Sequence, residues 1–261
     1  MMIGNSESIK YKKHFLSSVI CRIDFNEMLP AEVLNSIAKD SLIIKGFPIH
    51  GKDQVGKEKT INILGFANGK SVDSSVSQNE TSYIIKELRN ETGENKFVFA
   101  PSFFVFEYKK YESFEELKQY FMKVVNNIGE KGRDININRF GLRYINIIDP
   151  DKTRILKSYF SNSINSFVNF ELAEGLSLSR AIGRVEYLKE DIRLVVNYGE
   201  YNRSYPGTLL KHDFVLDYDA SVQGVYNISD IFPSKLIAAH EMIQNVFEHS
   251  ITDKFRKIMK E

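Results

Sequence analysis

In each half of this chain the apolar residues change period twice, each time from the extended pattern of strands to the wider spacing of a helix. In the first half, Val19, Cys21, Ile23 and Phe25 alternate with Arg22 and Asp24, which predicts a strand from Ser18 to Phe25. Pro30 then opens a short helix, Ala31 to Asp40, with Val33, Leu34 and Ile37 on one face. Several extended stretches follow and end in the aromatic run Phe97 to Tyr108. Ser113 and Glu116 make a capping box, and Phe114, Leu117, Tyr120, Phe121, Val124, Val125 and Ile128 recur at helical spacing until Gly129.

After Gly132 the pattern starts again. It predicts a strand from Asn138 to Ile148, a helical segment from Leu156 to Phe167, strands near Ser179 to Leu188, Ile192 to Tyr201 and Thr208 to Tyr218, and a long helix from Pro233 to about His249. The expectation is an α+β fold of tandem βαβββα units, residues 1–132 and 133–261, merged into one domain with a largely antiparallel sheet. Long helices would pack on one face of that sheet and leave the other for solvent, a ligand or a partner. Element order alone carries this duplication, because the halves share no residue-by-residue repeat. The polar stretch Gly69 to Glu80 reads as a loop.

Composition limits the classes of partner. The chain has 261 residues, 43% of them apolar, enough for a sizeable core, and its 35 basic and 34 acidic residues leave a net charge of +1. No global field draws it to nucleic acid or an anionic membrane, so recognition of either must be local. Cys21 is the only cysteine, which excludes an internal disulfide and a cysteine-rich zinc cluster. With no hydrophobic signal region at the start, a cytoplasmic location is expected. The longest apolar stretch, Phe97 to Phe106, is broken by Pro101 and Ser102 and is far shorter than the roughly 20 residues that span a bilayer.

Each chemical motif has a plainer reading beside it. Gly51-Lys52-Asp53-Gln54-Val55-Gly56-Lys57-Glu58 matches a phosphate-binding loop until its last position, where Glu58 replaces the magnesium-binding hydroxyl. Thr60 to Phe66 behind it reads as a strand, so the segment reads as a glycine-rich hairpin loop. Strand alternation aims Asp213, Asp217 and, if the strand runs that far, Asp219 at one face, as magnesium chemistry requires and as any solvated strand face also allows, although Asp219 falls where the next turn is expected. Arg139 and Arg143 share a side of their strand, and Arg180, Arg184 and Glu186 share a side of theirs. Such guanidinium groups grip a phosphate, a carboxylate or an acidic partner, or form cross-strand ion pairs that keep the face soluble. His240 falls on the apolar stripe Leu236, Ile243 and Phe247, where a buried histidine needs a hydrogen-bond partner. The aromatic run reads as core before it reads as a platform for single-stranded bases.

Three segments together resemble a family. The strand Val19 to Phe25, the central Arg139-Phe140-Gly141-Leu142-Arg143-Tyr144-Ile145-Asn146, and the tail pattern His240 to Phe247 with Ile251-Thr252 are similar to those of an uncharacterised, sporadically distributed group of prokaryotic proteins of about this length. The resemblance implies no activity, but it makes Arg139, Arg143 and His240 part of a family pattern. Its patchy occurrence is that of mobile-element and defence loci.

The reading that follows is a noncatalytic binding module that holds a partner protein or a small anionic ligand through Arg139, Arg143, Arg180, Arg184, Asp213 and Asp217, without a cofactor. One alternative is nucleic-acid binding by the same sheet through its arginines and aromatics. The other is a metal-dependent phosphoesterase built on Asp213 and Asp217.

Overall fold

The computed structural model describes residues 11–63, 76–130, 135–149, 158–162, 164, 179–207 and 213–261. Ten strands form one antiparallel sheet, and the described residues also form six helices, an α+β arrangement. In chain order the elements are β1 (Leu16–Phe25), α1 (Ala31–Ala38), α2 (Ser41–Gly46), β2 (Ile49–His50), β3 (Gln54–Ile63), β4 (Val76–Arg89), β5 (Asn95–Ala100), β6 (Phe103–Tyr108) and α3 (Phe114–Gly129). Then come β7 (Asn136–Ile148), β8 (Ala181–Lys189), β9 (Ile192–Tyr201), β10 (Asp213–Asn227), α4 (Ile228–Ile231), α5 (Ser234–Ser250) and α6 (Asp253–Lys260).

The sheet runs in the order β2, β4, β5, β6, β1, β7, β10, β9, β8, with β3 pairing the outer length of β4. Its centre is the pairing of β1 with β7, where Cys21 lies opposite Leu142 and Arg22 opposite Gly141. Register puts alternate residues of neighbouring strands in common rows. Val19, Cys21 and Ile23 of β1 share a buried face with Tyr108, Phe106 and Phe104 of β6 and with Tyr144, Leu142 and Phe140 of β7. The core grows on this face. Phe121 of α3 meets Phe104, Phe140 and Phe232 at ring-centroid separations of 5.5, 5.9 and 4.9 Å, and Phe247 of α5 meets Tyr218 of β10 at 6.0 Å.

Local chemistry sets the element ends. Ser113 caps α3, its hydroxyl accepting from the Glu116 amide at 3.2 Å, and Asp40 caps α2 by accepting from Leu42 and Ile43. Phe97, Phe99, Phe104 and Phe106 are all buried, so the aromatic hairpin of β5 and β6 is core.

Three local expectations change. The loop-like Gly51–Glu58 segment enters strand β3 at Gln54, and Gly51 already donates its amide to the Glu87 carbonyl, because pairing with β4 outweighs the weak turn preference of two glycines. The predicted loop Gly69–Glu80 contains the start of β4 from Val76, while 69–75 lie outside the described residues. Asp219 is no turn residue: β10 continues to Asn227, held on both sides by β7 and β9. The helix expected over Leu156–Phe167 lies mostly outside the described residues, which there include only 158–162 and 164.

Candidate functional site

The face of the sheet opposite the core carries the charged residues. Register places Ile20, Arg143, Asp219, Val195 and Glu186 in one row across β1, β7, β10, β9 and β8, with Arg22, Gly141, Ser221, Arg193 and Leu188 in the next. On the other side of the first row lie Ser18, Ile145, Asp217, Asn197 and Arg184. Arg139, Arg143, Arg184 and Asp217, four of the six residues singled out from the sequence, therefore share this face.

Arg143 bends away from Asp219, its neighbour across the strands, to grip Asp217 by two parallel bonds, Nε to Oδ1 at 2.7 Å and Nη2 to Oδ2 at 2.8 Å. Asn197 donates a third bond to Asp217 at 3.1 Å. The Asp217 side chain is only 8% exposed against 41% for Arg143, so the carboxylate is anchored while the guanidinium still borders solvent. Asp219 accepts none of these bonds. Burial pushes its carboxyl above the usual range against the pull of Arg143, Arg139 and Arg184.

Toward the middle of the sheet, Asp24 takes Arg22 at 2.6 Å and Arg139 at 3.5 Å, and Arg22 also lies over the ring of Phe103, 4.4 Å from its centroid. Gly141 makes room for this cluster, since a Cβ there would stand 3.2 Å from Nη2 of Arg139. Toward β8, Glu186 joins Arg184 and Arg193, with Nε bonds of 2.9 Å each.

The two remaining predicted residues lie apart. Asp213 precedes Asp217 by four residues, roughly 13 Å along a strand, and its buried carboxylate takes Arg203 at 2.7 Å. Arg180 precedes β8 and stacks over Tyr205, 5.3 Å from the ring centroid. Asp213 and Asp217 thus serve different arginines. Among the described residues no cluster of three or more His, Cys, Asp or Glu side chains is close enough to hold a metal ion.

Sequence reasoning missed Arg22, Asp24, Asn197 and Arg193 as members of this cluster and favoured a turn position for Asp219. Alternation shows which way each points, but only the pairing of β1 with β7 and of β10 with β9 brings them together.

His240 lies on the opposite, core-facing side. Its Nδ1 is 3.1 Å from the Tyr144 hydroxyl, which is 3.0 Å from the Tyr111 hydroxyl, and its ring stacks on Phe114 at 3.8 Å. Burial lowers its pKa from 6.5 to about 4, so the imidazole is neutral near pH 7. The central motif thus faces both ways: Arg139 and Arg143 reach the charged face, and Tyr144 reaches His240. Ile251 of the tail forms a bridge with Phe160, and the Thr252 hydroxyl donates to the Ser158 carbonyl at 2.7 Å.

Comparison of the sequence with protein-family models finds no match, and comparison with curated proteins finds none either. No described helix is long and apolar enough to cross a membrane.

Proposed function

We propose that the chain is a noncatalytic interaction module that docks a partner protein through the charged face of β1, β7, β10, β9 and β8. One observation carries this reading. The guanidinium groups of Arg22, Arg139, Arg143, Arg184 and Arg193 alternate on that face with the carboxylates of Asp24, Asp217, Asp219 and Glu186. A sign-balanced surface offers no continuous basic stripe to a phosphate backbone, which favours a protein over a nucleic acid. It also suits a protein better than a small anion, because most of the arginines already hold carboxylates. Against a protein surface of complementary pattern, such charges fix register and reject mismatched partners.

The duplicated fold belongs to the same proposal: βαβββα units over 1–132 and 133–261, merged into one domain with long helices on one face. Its support is the run β5, β6, β1, β7, β10, β9, in which β1 and β7 sit side by side at the centre. Each is flanked by the last strand before a long-helix region, and the paired Cys21 and Leu142 are each followed by an arginine of the charged face. Membership of the sporadically distributed prokaryotic family is supported by the meeting of its three segments, since Val19–Phe25 pairs with the central motif and Tyr144 of that motif meets His240. The patchy occurrence of that family favours an accessory role in a mobile-element or defence locus, in the cytoplasm.

The test is to purify the protein from its native host, identify what accompanies it, and measure that partner's affinity for the parent and for the Arg184→Glu, Arg193→Glu double variant. Both side chains are more than half exposed, at 57% and 53%, so the fold is kept. At least a tenfold weakening at low salt, shrinking as salt screens these exposed charges, is expected. A partner whose affinity ignores both the charge reversal and the salt overturns the reading.

A further inference from the structure

On the side of the sheet away from the charged face, a cavity of about 350 Å3 opens beside His240. Its size lies at the lower end of the roughly 300–1,000 Å3 typical of small-molecule sites. Rings dominate the wall: Phe15 just before β1, Tyr111 just before α3, Phe114 at its start, Tyr144 of β7, Tyr218 of β10 and Phe247 of α5. These rings come from widely separated parts of the chain, so the shape is set by the packed fold and not by one mobile loop.

The polar groups on this wall are few and convergent. Tyr111, Tyr144 and His240 form a hydrogen-bonded chain that ends at Nδ1 of the imidazole. No described residue hydrogen-bonds Nε2. Gln244, one turn further along α5, adds an amide to the same cavity. Rotation of the two hydroxyls reverses the direction of the chain and with it the histidine tautomer, so Nε2 accepts from a donor or donates to an acceptor.

The charges nearby set the ligand class. Glu112, Glu115 and Glu248 line the cavity, and the last is held by Tyr11 at 2.6 Å and Arg256 at 2.7 Å. Glu112 and Glu115 are exposed and repel an anion at the entrance. The N-terminus of α3, at Ser113 and Phe114, disfavours a cation in the same space. Aromatic walls with a few neutral hydrogen-bonding groups, Nε2 of His240 and the Gln244 amide among them, match a flat, uncharged molecule.

We infer that this cavity binds a small uncharged aromatic molecule of one or two fused rings, stacked among the tyrosine and phenylalanine rings and hydrogen-bonded to Nε2 of His240. This is a second site, independent of the protein-docking face.

The chain contains no tryptophan, so indole is a probe whose emission has no protein background. Tyrosine emission overlaps indole absorption, and indole held against Tyr111 and Tyr144 takes up their excitation. Titrating the parent with indole while exciting tyrosine is expected to give saturable indole emission. His240→Phe keeps a ring and removes Nε2, so affinity for indole falls about tenfold, the effect of one lost hydrogen bond, while affinity for 1-methylindole, which lacks the N–H, is unchanged. Gln244→Phe fills the cavity and abolishes saturation by both probes, with circular dichroism and the melting curve confirming that each variant is folded. The inference is overturned if the parent shows no saturable emission, if folded Gln244→Phe binds like the parent, or if His240→Phe weakens both probes equally.

Discussion

The imidazole of His240 lies flat against the ring of Phe114, centroids 3.8 Å apart and planes 5° from parallel, which joins α5 to the first turn of α3. Protonation would place a charge in this stack, and burial resists it. The folded pKa of about 4 lies below the ordinary 6.5, so the unfolded chain binds this proton more readily than the folded one. The stability contributed by neutral His240 is therefore complete above about pH 6.5 and is lost as pH falls toward 4, by about 3 kcal/mol over the whole window. Urea titrations near pH 7 and pH 4.5 check this: the parent is expected to lose more stability than His240→Phe, and parallel losses would refute it.

Tyr144→Phe removes the hydroxyl shared by Tyr111 and His240 and leaves two polar groups without that partner. A loss of about 1 to 3 kcal/mol is expected, read as a lower denaturant midpoint with an unchanged slope.

On the charged face, Arg143→Ala strips Asp217 of a bidentate partner and leaves it with Asn197. Because the carboxylate is nearly buried but the arginine borders solvent, the loss is expected at about 1 to 3 kcal/mol, below that of a fully buried pair. A double-mutant cycle with Asp217→Asn measures the coupling, and strictly additive losses would mean that the pair contributes nothing of its own.

Asp219→Asn is expected to stabilise the protein. Burial raises the folded pKa of Asp219, so near pH 7 its ionised form is held at a disadvantage that an amide does not share. The sign is that of a raised acid: the disadvantage grows as pH rises through the folded pKa and vanishes below the ordinary carboxylate range. A higher melting temperature for the variant at pH 7, shrinking in acid, checks it.

Gly199 has φ +139°, and a Cβ there would collide with the Ala181 carbonyl oxygen on β8. Gly199→Ala is expected to lower stability by about 1 to 3 kcal/mol, with hydrogen exchange rising first in β8 and β9. Uniform exchange across the sheet would contradict that placement.

Much of this architecture is legible in the sequence because its signals are local. Alternation in Val19–Phe25 and the capping box at Ser113 each depend on residues a few positions apart, and both elements stand where those patterns put them. The charged face was half legible. Parity along one strand gives Arg139 and Arg143 a common side, but no local pattern says that Asp24 lies beside Arg139 or that Asn197 meets Asp217. The histidine site was less legible still, since Tyr111, Tyr144 and His240 are brought together only by packing. In the Gly51–Glu58 segment the local signal was outweighed, because a strand partner more than twenty residues away decided its conformation.

The central position of β1 also bears on how the protein is made. Its partners are β6 and β7, so Cys21 waits first for Phe106 and then for Leu142 to be synthesised. At ~5–20 residues per second, the alternating apolar edge of Leu16–Phe25 stays uncovered on the ribosome for several seconds to tens of seconds. Among the described strands, the one that ends at the middle of the sheet is thus the longest available to chaperones and to mispairing. Translation speed between the codons of β1 and those of β7 sets the length of that exposure.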